Sequence, residues 1–276
     1  KLGGIVVNST DNVIISKFVG LVGVGLYSNY QIIINALNIV VSQVFSSITA
    51  SVGNLGVTES NQKKISIFNI VFFLNFWIYA FMSICLVILV NPFIELWIGG
   101  DYVLNTGIVL IVILNFFLVG MRKGVLTFRD ALGLYWYDRY KPIFESIINL
   151  VGSLILVKYL GMIGVFLGTT ISTVTTCLWV DPYVLYKYGF KSSVLPFFKK
   201  YVLYSVVTLI TCLITIALAA ICRDGTFLSF IYQLIICLVV PNGIFLLIFH
   251  RTSEFRYLYN LINKFIVKMI KMKIHF

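Results

Sequence analysis

The sequence predicts an all-α, polytopic membrane protein of about eight transmembrane helices, and three observations predict it. Apolar residues make up 60% of the chain and charged residues only 11%, where a water-soluble domain carries about a quarter charged. The charges are also bunched. The run from Ile65 to Asn91 has none, and about 20 apolar residues in a helix cross the ~30 Å of hydrocarbon. Finally, Lys and Arg gather on one side of the spans that such runs define.

Taken in order, the spans fall at 1–16, 25–52, 66–91, 103–122, 142–158, 163–185, 200–222 and 227–249, with a basic tail at 251–276. The first begins at Lys1 and reads as a helix entered partway, in a fragment of a longer protein. The connections 17–24, 158–162 and 223–226 are short and glycine-bearing, and PFIELWIGGDY at 92–102 makes a fourth loop on their side. The opposite side holds Lys1, Lys63, Lys64, five cations from Arg122 to Lys141, four from Lys187 to Lys200 and six in the tail, eighteen of the 21 Lys and Arg. Only Lys17, Lys158 and Arg223 share the short-loop side. Such an excess marks the cytoplasmic face, so the C-terminus is expected there. The net charge of +11 points to anionic membrane lipids as partners and needs no nucleic acid. In the tail, Phe255, Leu258, Ile262, Phe265, Met269 and Met272 recur at helical spacing while Lys264, Lys268 and Lys271 take another face. That pattern fits a helix lying in the membrane interface, with a disordered basic tail as the alternative.

Polar residues inside the spans are the candidate functional groups. In VNSTDNVII, residues 7–15, Asp11 lies about 9 Å inside the helix end near Lys17, at 1.5 Å rise per residue. A charge facing lipid there costs roughly 2.5 kcal/mol or more. Asp11 therefore faces water, a cation or a partner, or serves as a buried hydrogen-bonding group. The second span carries Gln31, Asn35, Asn38, Ser42, Ser46 and Thr49, steps of three and four that share one helical face. One or two such residues suffice to glue helices together; six along a whole span read as the wall of an aqueous, sugar-compatible cavity. The fifth span repeats the pattern with Glu145, Asn149 and Ser153, and the sixth with Thr169, Thr173 and Thr176. Asp11, Asn149, Thr169 and Thr173 reach similar depths, with Glu145 about a turn deeper. This is a set of hard oxygen ligands suited to Na+, or a relay for a proton. No other cofactor is expected. The five cysteines fall in or at the ends of apolar runs without CxxC spacing, and neither they nor His250 and His275 form a metal or catalytic cluster.

On the cation-rich side, FRDALGLYWYDRYKP at 128–142 mixes charges with aromatic rings. Arg122 and Arg129 lie seven apart and share a face if the helix continues. Together with Lys123, Arg139 and Trp136 they are candidates for phosphate and sugar: guanidinium forks suit phosphate and aromatic rings stack on sugar faces or sit in the interfacial belt. Ordinary anchoring at the cytoplasmic face explains each of them singly.

KFVGLVGV at 17–24 and KYLGMIGV at 158–165 repeat one pattern. Glycines there allow tight reversal and close helix contact. Both an internal transporter repeat and shared hairpin chemistry require two tightly closed helical hairpins.

The run NSTDNVIISKFVGLVGVGLYSNY, the polar-striped helix after it and FRDALGLYWYDRYKP resemble the bacterial O-antigen/teichoic-acid flippases, polysaccharide transporters of the multidrug/oligosaccharidyl-lipid/polysaccharide exporter superfamily. The resemblance implies a C-terminal six-helix transport lobe at 1–190, an additional two-helix hairpin at 191–250 and a basic amphipathic cytoplasmic tail at 251–276. It implies a missing N-terminal lobe of the same protein as partner, in the bacterial plasma (inner) membrane. It further implies translocation of undecaprenyl-pyrophosphate-linked oligosaccharide by alternating access, possible cation coupling, and no enzymatic activity. Two rivals stand beside it. A membrane-embedded polysaccharide polymerase or ligase needs an acid/base constellation and a sizeable outer loop, whereas the outer loops here are short and offer only Glu95, Asp101 and Asp224 as acids. A drug antiporter of the same fold differs only in what it carries, which fold does not fix.

Overall fold

In a computed structural model, the backbone is described for residues 2–222 and 225–274, and side chains for 10–49, 52–53, 59–222 and 225–264. The described chain is helical throughout: α1 (Leu2–Phe18), α2 (Leu21–Thr58), α3 (Asn61–Ile98), α4 (Thr106–Met121), α5 (Lys123–Ala131), α6 (Lys141–Leu160), α7 (Met162–Ser172), α8 (Leu178–Val184), α9 (Leu195–Ala219), α10 (Phe227–Phe249) and α11 (Ser253–Ile274). Among the described residues, seven helical stretches are long and apolar enough to cross a membrane, with α4–α5 and Met162–Phe190 each forming one. The eighth expected span forms α1, whose 17 residues fall just short of the ~20 that cross alone.

Two expected loops are helix instead. The 92–102 segment continues α3 through Pro92 to Ile98, because an internal proline removes one hydrogen bond that flanking turns tolerate. The helix stops only where Gly99 takes φ 107. Likewise α2 runs on to Thr58. Each of these 38-residue helices is about 57 Å long at 1.5 Å per residue, well beyond the hydrocarbon thickness, so their ends project into water.

Helix α3 is the centre of the bundle. Phe68, Phe72, Phe73 and Phe76, at helical spacing, are fully buried. Phe76 stacks on Tyr204 of α9 at 4.2 Å between ring centroids, and Phe245 and Phe249 of α10 close over it at 5.3 and 5.5 Å. The C-terminal hairpin is thereby docked on the same core as the rest. Helix α11 is tied back by Lys200 to Glu254 at 2.7 Å and by the stacked rings of Trp77 and Phe255. Burial opposes the Glu254 charge, yet hydrogen bonds from Lys200 and Ser253 hold its carboxyl below the usual range. Tyr257, Tyr259, Leu261 and Ile262 are exposed; Phe265, Met269, Met272, Lys268 and Lys271 lie outside the described side chains.

The two repeated motifs form the expected hairpins, α1–α2 and α6–α7, turned by Gly20 at φ 108 and Gly161 at φ 57. The second is the tighter. A Cβ on Gly168 would lie 2.2 Å from Ser153 Oγ and 2.6 Å from its backbone nitrogen, and one on Gly164 would lie 2.3 Å from the Leu156 carbonyl oxygen. Gly168→Ala is therefore expected to cost about 1–3 kcal/mol through overpacking. Gly243→Ala in α10, where a Cβ meets nothing within 4 Å, is expected to be neutral or to stabilise by roughly 0.5–1 kcal/mol. Thermal unfolding of both variants in detergent checks the contrast; equal midpoints would show that α6 and α7 do not pack this closely.

Candidate functional site

Helix α1 packs against α6 and α7, which carries Asp11 into contact with the second hairpin. Asp11 is buried. The Thr169 hydroxyl donates to its Oδ2 at 3.0 Å, and Asn149 Nδ2 donates to Thr169 Oγ1 at 2.9 Å. Asp11 Oδ1 is buried and accepts no hydrogen bond among the described residues, and the same holds for Asn12 Oδ1. A bare carboxylate oxygen at this depth is costly. Thr173, buried four residues beyond Thr169, opens a π-helical segment, Thr173–Cys177. Such segments recur at functional sites. Glu145 does not join this set: its Oε1 lies 3.6 Å from Arg122. The Asn8 side chain lies outside the described residues.

A second cluster fills the cation-rich end. The Asp181 carboxylate is fully buried and meets Lys141, Arg122 at 3.0 Å and Arg129 at 3.5 Å. Asp138 pairs with Arg129 and Lys141, and Asp130 with Arg129. Three cations thus interlock with Asp130, Asp138, Glu145 and Asp181, joining the α4–α5 break, the start of α6 and α8. The helix breaks at Arg122 between α4 and α5, and Arg122 and Arg129 meet at Asp181. Their guanidinium groups are bound by carboxylates here, however, and are not open to phosphate. Asp181 carried no role in the sequence reading, although an acid in an apolar span, WVDPYV, is the same signal that singled out Asp11.

The stripe on α2 makes the third feature. Its buried face, with Tyr30, Val41 and Phe45, packs inward, while Val40 is 67% exposed. The polar stripe runs along the edge between the two. Asn35 and Ser46 are exposed, and Gln31, Asn38 and Ser42 are half-buried. The Tyr79 hydroxyl donates to Asn38 at 3.4 Å, and Lys123 Nζ donates to Ser42 Oγ at 3.3 Å. Lys123 makes no ion pair among the described residues. The structure thereby joins one phosphate candidate to the polar stripe. Arg139 instead stacks over Trp136 at 3.7 Å and Tyr140 at 4.7 Å, with both rings exposed.

Among the described residues, fold and site together define a helical bundle with seven membrane-length apolar helices, a buried carboxylate held by Thr169 and a buried ion cluster. No protein-family model, curated protein or solved structure matches it.

Proposed function

We propose that this chain belongs to a cation-coupled transporter, not an enzyme, that carries undecaprenyl-pyrophosphate-linked oligosaccharide of the O-antigen, capsule or teichoic-acid type across the bacterial plasma membrane, with its C-terminus in the cytoplasm. The observation that carries the reading is the polar stripe of α2, which the rest of the chain leaves uncovered at Asn35 and Ser46. In a bilayer such a row is stable against water or a second lobe, not against lipid. Amides and hydroxyls in series suit a sugar chain, and Lys123 beside Ser42 supplies a cation for its phosphate.

Alternating access needs an element that both the cation and the substrate end can bias. The stretch Met162–Phe190 fits that role. It carries Thr169, which holds Asp11, and Asp181, which holds the ion cluster, with the π segment between them. In this reading, filling the Asp11 pocket shifts that stretch, and the cluster opens so that Arg122 and Arg129 exchange carboxylates for the pyrophosphate. The test is complementation of a flippase-null strain by the full-length protein, with the lipid-linked intermediate assayed in each leaflet. Restored outer-leaflet intermediate supports the reading; intermediate trapped in the inner leaflet, with drug resistance conferred instead, supports the antiporter.

A further inference from the structure

The link between α8 and α9 frames an open surface hollow of about 500 Å³ lined by Tyr183, Tyr186, Lys187, Lys191, Ser192, Ser193 and Val194, with both lysines and both serines exposed. It belongs to neither site described above. Its wall contains two ammonium groups, two serine hydroxyls and two phenols, and no carboxylate. Lys187 Nζ donates to the Tyr183 hydroxyl at 2.6 Å. Among the described residues neither Lys187 nor Lys191 has an ion-pair partner. The charge of the hollow is therefore unanswered.

The backbone that builds this wall is also unusual. Lys191 sits at φ 52, ψ 47, and no other described non-glycine residue has positive φ. That conformation carries a steric cost which glycine avoids. It closes the π-helical turn Leu185–Phe190, so that the Ser192 N–H donates to the Tyr186 carbonyl oxygen, and it brings Lys191, Ser192 and Ser193 to one wall. A lysine held where glycine would serve better is a residue whose side chain matters.

Position limits what the anion can be. The hollow lies where one membrane-length stretch ends at Phe190 and the next begins at Leu195, on the cation-rich side, where spans of that length would meet lipid headgroups. Tyr183 and Leu195 at its margin are exposed, which leaves bare apolar surface beside a cationic hollow. We propose that this hollow binds the phosphate headgroup of an acidic phospholipid of the inner leaflet, with Lys187 and Lys191 on the phosphate oxygens, the serine hydroxyls donating to the same group, and the acyl chains lying against Tyr183 and Leu195. Basic pockets at the cytoplasmic ends of spanning helices hold such headgroups. The assignment is independent of which substrate the protein transports.

The experiment is native mass spectrometry of the full chain released from nanodiscs of phosphatidylglycerol and phosphatidylcholine in equal parts. The wild type is compared with Lys187→Gln/Lys191→Gly, where the glycine keeps the left-handed turn unstrained, and with the charge-matched control Lys63→Gln/Lys64→Gln. The wild type and the control should retain phosphatidylglycerol in preference to phosphatidylcholine. The paired variant should lose that preference by about 25-fold, at about five-fold per lysine near the surface. Equal retention of both lipids by the wild type, or unchanged preference in the variant, overturns the site. Displacement of the bound lipid by millimolar inorganic pyrophosphate overturns the lipid assignment and makes the hollow a site for soluble phosphate.

Discussion

Asp181→Asn is expected to destabilise the folded chain by about 3–5 kcal/mol, the cost of breaking a buried ion pair from one side. The carboxylate is fully buried against Arg122, Arg129 and Lys141, and the amide leaves those cations short of one charge. Lys141 is itself buried and falls back on Asp138 alone, at 3.5 Å. Asp130→Asn removes a carboxylate of the same cluster that is 39% exposed, and an exposed pair contributes at most about 1 kcal/mol. Adding Lys141→Met to Asp181→Asn should restore part of the loss, because it removes an uncompensated charge. Unfolding in detergent, followed by loss of helical signal, measures all three. If Asp181→Asn proves no worse than Asp130→Asn, the cluster is not a buried charge network.

Asp11→Asn should abolish cation-dependent transport and leave the fold intact. The amide oxygen still accepts the hydrogen bond from Thr169, so stability should change by about 1 kcal/mol or less, the net worth of one such bond. The negative charge and the bare second oxygen are gone, and with them the proposed seat for a proton or Na+. Transport into proteoliposomes, with and without an imposed Na+ or proton gradient, separates the outcomes. A variant that responds to the gradient as the wild type does would make Asp11 a buried hydrogen-bonding group and move coupling elsewhere.

Much of the architecture was legible in the sequence because lipid imposes it. A helix must satisfy its own backbone in hydrocarbon, so apolar runs announced the helices. The glycines of KFVGLVGV and KYLGMIGV announced two hairpins. Helix ends were less legible: Pro92 looks like a stop, yet α3 absorbs it and ends at Gly99. Within the sites, rise counting alone placed Asp11, Asn149 and Thr169 at one level, and those three meet. It placed Glu145 about a turn deeper yet kept it in the ligand set, because counting along a helix gives depth but not the neighbour a side chain turns toward, which here is Arg122. The arginines were legible as a seven-residue pair. Their partners were not, since Asp181 lies 59 and 52 residues away in sequence and only the packing of α8 against α5 brings it to them. The hollow at Lys187 and Lys191 depends on the backbone of Lys191, which residue type alone argues against.

The central claim is that the α2 stripe faces water inside the membrane. Its most direct measurement is the reactivity of single cysteines at Asn35, Ser46 and Val40, in a background with Cys85, Cys177, Cys212, Cys222 and Cys237 replaced by alanine, toward a water-soluble maleimide in intact membranes. The account predicts rapid labelling at 35 and 46, slowed by lipid-linked oligosaccharide, and none at 40 on the apolar face. Labelling at 40 with protection at 35 and 46 would show that the stripe is buried helix contact and that this chain lines no cavity.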